Sequence, residues 1–181
     1  MFLSVKEMEF RKVRFDETIP PGKIDYSRAD VRQVSPLTAV GSAVMVENAE
    51  GEVHIAGKLK LEMEADCDRC LGRAVFPIES DFDLFYMPAP SAKPEHHHRA
   101  PREEEIELDE GESEVGFYEG SGLELNDVLL EQILLALPMQ RICREDCMGI
   151  CPVCGKNRNE VMCSCREKPS DDRWKALRDL K

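Results

Sequence analysis

VHIAGKLKLEMEADCDRC, residues 53–70, decides how the rest of the chain is read. Val53, Ile55, Leu59, Leu61, Met63 and Ala65 alternate with His54, Lys58, Lys60, Glu62 and Glu64, the period-two pattern of a strand with one buried and one wet face. This strand leads directly into Cys67-Asp68-Arg69-Cys70, after which Ala74, Phe76, Ile78, Phe82, Leu84 and Tyr86 resume the alternation. The two cysteines therefore stand at a connection between strands, where their sulfurs project from a rigid base.

Upstream, LTAVGSAVMVE after Pro36 places Val40, Val44 and Val46 on one parity, and Asn48-Ala49-Glu50-Gly51 supplies turn chemistry, so a hairpin into the 53–65 strand is expected. FRKVRFDETI, residues 10–19, reads as a further strand ended by Pro20-Pro21-Gly22, while residues 23–36 are polar and give no clear element. Downstream, PAPSAKPEHHHRAPREEE at 88–105 lacks periodicity and apolar content and is expected to form a mobile loop. Its triplet His96-His97-His98 has no preset ligand geometry and is read as solvated, as is the run Glu103–Glu105. Residues 106–108 and 115–118 look like short strands around the acidic turn 109–114. Asn126 or Asp127 then caps a helix whose stripe is Val128, Leu129, Ile133, Ala136 and Leu137, with Pro138 stopping it. A mainly β protein of this size needs such an element to cover its sheet.

Six of the eight cysteines follow, in CREDCMGICPVCGKNRNEVMCSC at 143–165. Cys151, Cys154, Cys163 and Cys165 have the spacing of a compact zinc-ribbon-like knuckle, in which Pro152 stiffens the turn between two sulfurs and Gly155 takes a left-handed conformation. Cys163 and Cys165, two apart, fall on one face of an extended segment. The remaining four suggest a second site, Cys67 and Cys70 pairing with Cys143 and Cys147; on one helical turn the latter two would share a face. Such a site staples the middle of the chain to its end. Zinc is the expected cofactor at both.

The expected class is α+β: an antiparallel β-rich domain over 1–141 with one covering helix near 126–137, a cysteine-rich zinc module over 142–168, and a short amphipathic tail over 169–181 presenting Trp174, Leu177 and Leu180. At 181 residues the chain holds one full core plus a small appendage. Its opening residues, MFLSVKEMEFRKV, are broken by Lys6, Glu7 and Glu9 before an apolar run long enough for a secretory signal, and no later segment approaches membrane-spanning length. A cytoplasmic protein with no membrane partner is expected, and in a reducing compartment metal ligation is favoured over disulfides.

The formal net charge of −12 argues against a protein that coats nucleic acid through a broad basic surface. Residues 1–138 hold 14 Lys+Arg against 29 Asp+Glu, a net of −15, whereas residues 139–181 hold 10 against 7, a net of +3. Thiolates around zinc offset much of that small excess. Any contact with RNA is therefore local, with Arg141, Arg144, Lys156, Arg158, Arg173 and Trp174 as candidates for phosphate, base or partner contact. The acidic body suits a basic protein partner.

Catalysis is disfavoured. Four cysteines close the coordination shell and leave no position for a reactive water. Cys147-x3-Cys151-x2-Cys154 has the spacing of the iron–sulfur motif of radical S-adenosylmethionine enzymes, but too little chain follows it for their barrel. Cys67-x2-Cys70 does not open a helix after a βαβ strand, as a thioredoxin-like thiol site would.

The order of motifs, CDRCL at Cys67–Leu71, a helix ending in LALP at Pro138, then C-x3-C-x-G-x-C-P-x-C-G-x-N-x-N, resembles the YceD family of large ribosomal RNA subunit accumulation proteins. The matching residues are Cys67, Arg69, Cys70 and Leu71, then Gly149, Cys151, Pro152, Cys154, Gly155, Asn157 and Asn159, with Asp172 and Arg173 in the tail. Arg158 stands where the family usually has Leu, and Asp172 where Pro is common. The resemblance implies a non-catalytic role in making or stabilising large-subunit ribosomal RNA, with that RNA or a basic ribosomal protein as partner. The same knuckle would equally serve a zinc-ribbon adaptor that binds a basic protein in transcription or translation.

Overall fold

The computed structural model describes residues 1–46, 51–89 and 115–165. The chain folds into two compact units, one of Met1–Met63 with Pro77–Leu137, the other of Glu64–Phe76 with the stretch from Pro138 onward.

In the first unit the strands are β1 (Phe2–Ser4), β2 (Val13–Ile19), β3 (Arg32–Gln33), β4 (Leu37–Met45), β5 (Val53–Asp66), β6 (Arg73–Pro88), β7 (Val115–Tyr118) and β8 (Gly122–Glu124), with helices α1 (Val5–Met8) and α2 (Leu125–Leu135). The end of β5 and the start of β6 belong to the second unit. The main sheet runs β2-β4-β5-β6-β7, β3 also pairs with β5, and β1 with β8 makes a separate two-stranded sheet. β2, β4 and β5 pair antiparallel. Between β5 and β6, His54 meets Asp83 at 2.6 Å and Lys58 meets Asp81 at 2.8 Å, so the residue numbers run in opposite senses across the wet face. β7 lies parallel to β6, which the long connection at 89–114 permits. The described chain is thus α+β, with a mixed and mostly antiparallel sheet, few helices and a C-terminal cluster of cysteines.

β5 buries Val53, Ile55, Leu59, Leu61, Met63 and Ala65, the face that its alternation marks. Pairing then dictates β4: Ala39 lies opposite Leu59 and Ala43 opposite Ile55, so Leu37, Ala39 and Ala43 face the core. Val40 is 53% exposed, and the valine parity noted in the sequence is the solvent side of this strand. Large residues are unneeded on the inner side of β4, because Phe15 of β2 and Phe82 of β6 stack at 6.5 Å between ring centroids. They lie against paired Gly41 and Gly57: a Cβ on Gly41 would come within 2.5 Å of Phe15 Cζ, and one on Gly57 within 2.8 Å of Phe82 Cζ.

Three boundaries differ from expectation. β2 begins at Val13 rather than Phe10, since α1 turns the chain, buries Met8 and leaves Phe10 86% exposed. α2 begins at Leu125, before Asn126 and Asp127; its first amide donates to the Met1 carbonyl at 2.9 Å, so no side-chain cap is required. It ends at Leu135, with Ala136 as C-cap, and buries Leu125, Val128, Leu129 and Ile133. Residues 23–36 contribute Ile24, Tyr26 and Val31 to the core. The histidine triplet, Glu103–Glu105, the expected strand at 106–108, the tail with Arg173 and Trp174, and the expected loop beyond Ala89 lie outside the described residues.

Because the Gly41–Gly57 pair has backbone on one side and rings on the other, a side chain there must displace one of them. Gly41→Val is expected to cost about 1–3 kcal/mol by overpacking, read from the urea midpoint, whereas Val40→Thr on the wet face should stay within about 0.5 kcal/mol.

Candidate metal centre

The second unit is built around two groups of four cysteines, Cys67, Cys70, Cys143 and Cys147, and Cys151, Cys154, Cys163 and Cys165. Within each group the sulfurs all lie within 4.8 Å of one another.

In the first group Cys67 and Cys70 occupy the tight turn between β5 and β6. The Cys67 amide donates to the Gly72 carbonyl at 2.7 Å and the Leu71 amide to the Cys67 carbonyl at 2.9 Å. Leu71 closes this turn at φ 58, a left-handed conformation that few non-glycine residues adopt. Asp68 and Arg69, between the two cysteines, clamp the turn to the incoming chain. Asp68 exchanges backbone and side-chain hydrogen bonds with the Arg141 backbone, accepting from its amide through Oδ2 at 2.6 Å and donating to its carbonyl at 2.8 Å. Arg69 Nη1 donates to the carbonyls of Glu145 and Cys147, both at 3.3 Å. Cys143 and Cys147 are thereby delivered on an irregular turn, not on a helical one, with the Cys147 amide on the Arg144 carbonyl. Ala74 and Ile142 pack against the cluster.

The second group hangs on a small antiparallel bridge. Ile150 pairs with Asn157, the Cys151 amide donates to Lys156 and the Arg158 amide to Gly149, which folds Cys151–Cys154 into a knuckle. Gly155 is left-handed at φ 72 and returns its amide to the Cys151 carbonyl at 2.8 Å. Gly149, at φ 69, lies so close to the Arg69 carbonyl that a Cβ would stand 2.9 Å from its oxygen.

The donor set fits zinc. A tetrahedral ion with Zn–S of ~2.3 Å places its sulfurs about 3.8 Å apart. Cys67 and Cys147 sulfurs are separated by 3.9 Å and those of Cys70 and Cys143 by 3.7 Å, far beyond a disulfide bond. The electrostatics point the same way. Burial pushes the Cys67 thiol up, but the amides of Arg69, Cys143 and Cys70 donate to its sulfur and together hold it at about 6. The amides of Cys154 and Val153 hold Cys151 at about 6. Burial and the neighbouring Cys147 and Cys70 push Cys143 up to about 12, while hydrogen bonding to Cys154, with burial, pushes Cys165 up to about 12. Each group thus combines a thiol poised to ionise with one that keeps its proton unless a cation replaces it.

Of the cations expected to meet RNA or a partner, Arg141 ion-pairs with Asp68 at 3.7 Å, and Arg144 pairs with Asp146 at 3.2 Å and Asn159 at 2.9 Å. Lys156 is exposed and Arg158 half-buried, and neither forms an ion pair among the described residues. Arg173 and Trp174 are outside those residues. The roles of Asp68, Arg69 and Asn159 in holding sulfur-bearing turns were not legible from ligand spacing; their position between or beside cysteines was the available signal.

A family model described as "Large ribosomal RNA subunit accumulation protein YceD" matches residues 55–181, a span that contains all eight cysteines. A protein of Bacillus subtilis (strain 168) named "Uncharacterized protein YlbN" is 27% identical over 177 residues, covering 96% of this chain and 91% of the relative. No solved structure matches the chain. Among the described residues no helix is long and apolar enough to cross a membrane.

Protein purified without chelator should carry two zinc ions, and stripping them should melt the cysteine-rich unit, since structural zinc supplies roughly 10–16 kcal/mol of apparent folding free energy; circular dichroism and proteolysis read the loss. Because Cys143 and Cys165 keep protons at neutral pH in the free sites, loading should release protons, and apparent affinity should rise with pH through neutrality and fall as pH drops through about 6, where Cys67 and Cys151 also take protons. Calorimetry in buffers of different ionisation enthalpy measures the first effect and chelator competition at pH 6 and 8 the second.

Proposed function

This chain belongs to the YceD family of large ribosomal RNA subunit accumulation proteins, and we propose that it is a cytoplasmic, non-catalytic ribosome-biogenesis factor on which the accumulation of large-subunit ribosomal RNA depends. In this reading two structural zinc ions, each on four cysteines, shape the C-terminal unit that carries the activity. The observation that supports it is the family match over 55–181, whose limits enclose both cysteine groups.

The mechanism is presentation rather than chemistry. The four cysteines of each group would take every position of a bound zinc, which would hold the turns in place and leave no open site for substrate. Lys156 and Arg158, beside the second knuckle, are the described cations left to meet RNA phosphate, joined by Arg173 and Trp174 of the tail. Arg141, through its backbone, and the half-exposed Arg144 side chain also secure the turns that bear Cys67, Cys70 and Cys147. The acidic body is free to face a basic ribosomal protein while the zinc unit contacts the RNA.

The test is the ratio of large- to small-subunit ribosomal RNA in cells depleted of this protein. Depletion should lower the ratio, the intact chain should restore it, and a chain with Cys67→Ser and Cys70→Ser should not. An unchanged ratio on depletion would remove the reading. Lys156→Ala with Arg158→Ala should fold and bind zinc normally yet weaken RNA binding uniformly across sequences, lowering the slope of log affinity against log salt by up to about 2.

A further inference from the structure

Asn159 lies in the eight-residue span between Cys154 and Cys163, both of the second cysteine group, yet its side chain reaches the first. Its Nδ2 donates to Cys147 Sγ at 3.3 Å. The orientation of this amide is fixed by its other end, where Oδ1 accepts from the Met148 backbone amide at 2.8 Å and from Arg144 Nη2 at 2.9 Å, two groups that can only donate. The loop around it is held by Asn157, whose Oδ1 accepts from the Asn159 amide at 3.0 Å and from Nδ2 at 2.8 Å, and whose own Nδ2 donates to Glu160 at 2.9 Å. A span whose two ends are ligands of one site thus delivers a hydrogen-bond donor to a sulfur of the other.

We propose that Asn159 is a positioning residue that couples the two zinc sites, so that closing the second site around its ion sets the donor that steadies Cys147 in the first. The inference rests on the reading of both cysteine groups as zinc sites. A metal-bound thiolate carries excess negative charge, and an N–H donated to it both lowers that charge and fixes the direction of the sulfur. If the ends of the 154–163 span are not tied by an ion, Asn159 keeps its bonds to Met148, Arg144 and Asn157, but the span toward Cys163 is unanchored and the donor is held less firmly. Coupling of this kind is reciprocal: occupation of the first site must favour the second to the same extent.

The separating variant is Asn159→Asp. It keeps an oxygen for Met148 and Arg144 but removes both Nδ2 donations, to Cys147 Sγ and to Asn157 Oδ1, so Asn157→Ala, which loosens the same turn and leaves the Asn159 amide able to reach Cys147, is the control for the turn. Zinc release from the two-zinc protein, followed with a chromogenic chelator, should show two phases; the phase that persists when Cys163→Ser and Cys165→Ser remove the second site belongs to the first. We expect Asn159→Asp to speed first-site release roughly 10–100-fold and, by reciprocity, to make second-site affinity independent of whether the first site is filled. Removing the second site should speed first-site release in the parent chain, and add little once Asn159→Asp is present. Unchanged first-site release in Asn159→Asp, or additive effects of the two changes, would overturn the coupling. A parent chain that holds no zinc at all would instead overturn the metal reading beneath it. The unsubstituted protein loaded with cadmium-113 gives a check independent of variant folding: an Asn159 side-chain proton should show scalar coupling to the first-site metal, and a clear spectrum without it would sink the proposal.

Discussion

Four sulfurs within 4.8 Å of one another cannot all be ionised in water without a cation among them, and the architecture of the C-terminal unit follows from that constraint. Charge repulsion would drive such a cluster apart, and burial of Cys67, Cys70 and Cys147 would raise the cost of each thiolate. Backbone amides answer this unevenly: Cys67 receives three and Cys151 two, against one each at Cys70 and Cys147. Cys143 and Cys165 keep their protons in the free sites, and full ionisation of either group would need a divalent ion among the sulfurs. In the first site that ion would close a loop between the cysteines at 67–70 and those at 143–147, so its binding energy would also be folding energy for a unit drawn from two distant parts of the sequence.

This explains why regular secondary structure is so sparse around the cysteines. Short turns whose amides point at sulfur cannot also donate to a sheet ladder or helix, and their conformations are held by side chains on either flank: Asp68 and Arg69 for the first turn, Asn157 and Asn159 for the segment preceding Cys163. Leu71 in a left-handed conformation is the local strain such a turn tolerates when both ends are fixed, one by β5 and the other by β6.

The sheet was largely legible because a single strand carried a clean alternation. Once the buried parity of β5 is known, pairing fixes the parity of β4 and β2, which the run of valines alone does not: Val40 is exposed and Val44 half-buried, while Leu37, Ala39 and Ala43 face the core and Phe15 and Phe82 fill the space above Gly41 and Gly57. Strand propensity reports the backbone state and not the side. The start of α2 escaped for a related reason, its first amide being satisfied by Met1, more than a hundred residues away, which no local capping signal can reveal. β1 and β8 were missed likewise, each too short to show a period and defined only by its partner. Cysteine spacing, by contrast, is a local record of ligand geometry, and the sulfurs lie in the same two groups of four that the spacing suggested.

Charge then limits how such a unit can meet ribosomal RNA. Each zinc with four thiolates carries a residual charge of about −2, and Arg69, Arg141 and Arg144 are engaged with carbonyls, Asp68, Asp146 and Asn159 inside the unit. Among the described residues of this unit Lys156 and Arg158 are outside such pairs, so they and the six Lys and Arg of residues 166–181 are what could neutralise phosphate, and shape, stacking or a protein partner would have to supply the rest of any affinity. For a chain with a net charge of −12, the acidic body repels bulk RNA, so any complex with RNA would depend on local contacts of the cysteine-rich unit.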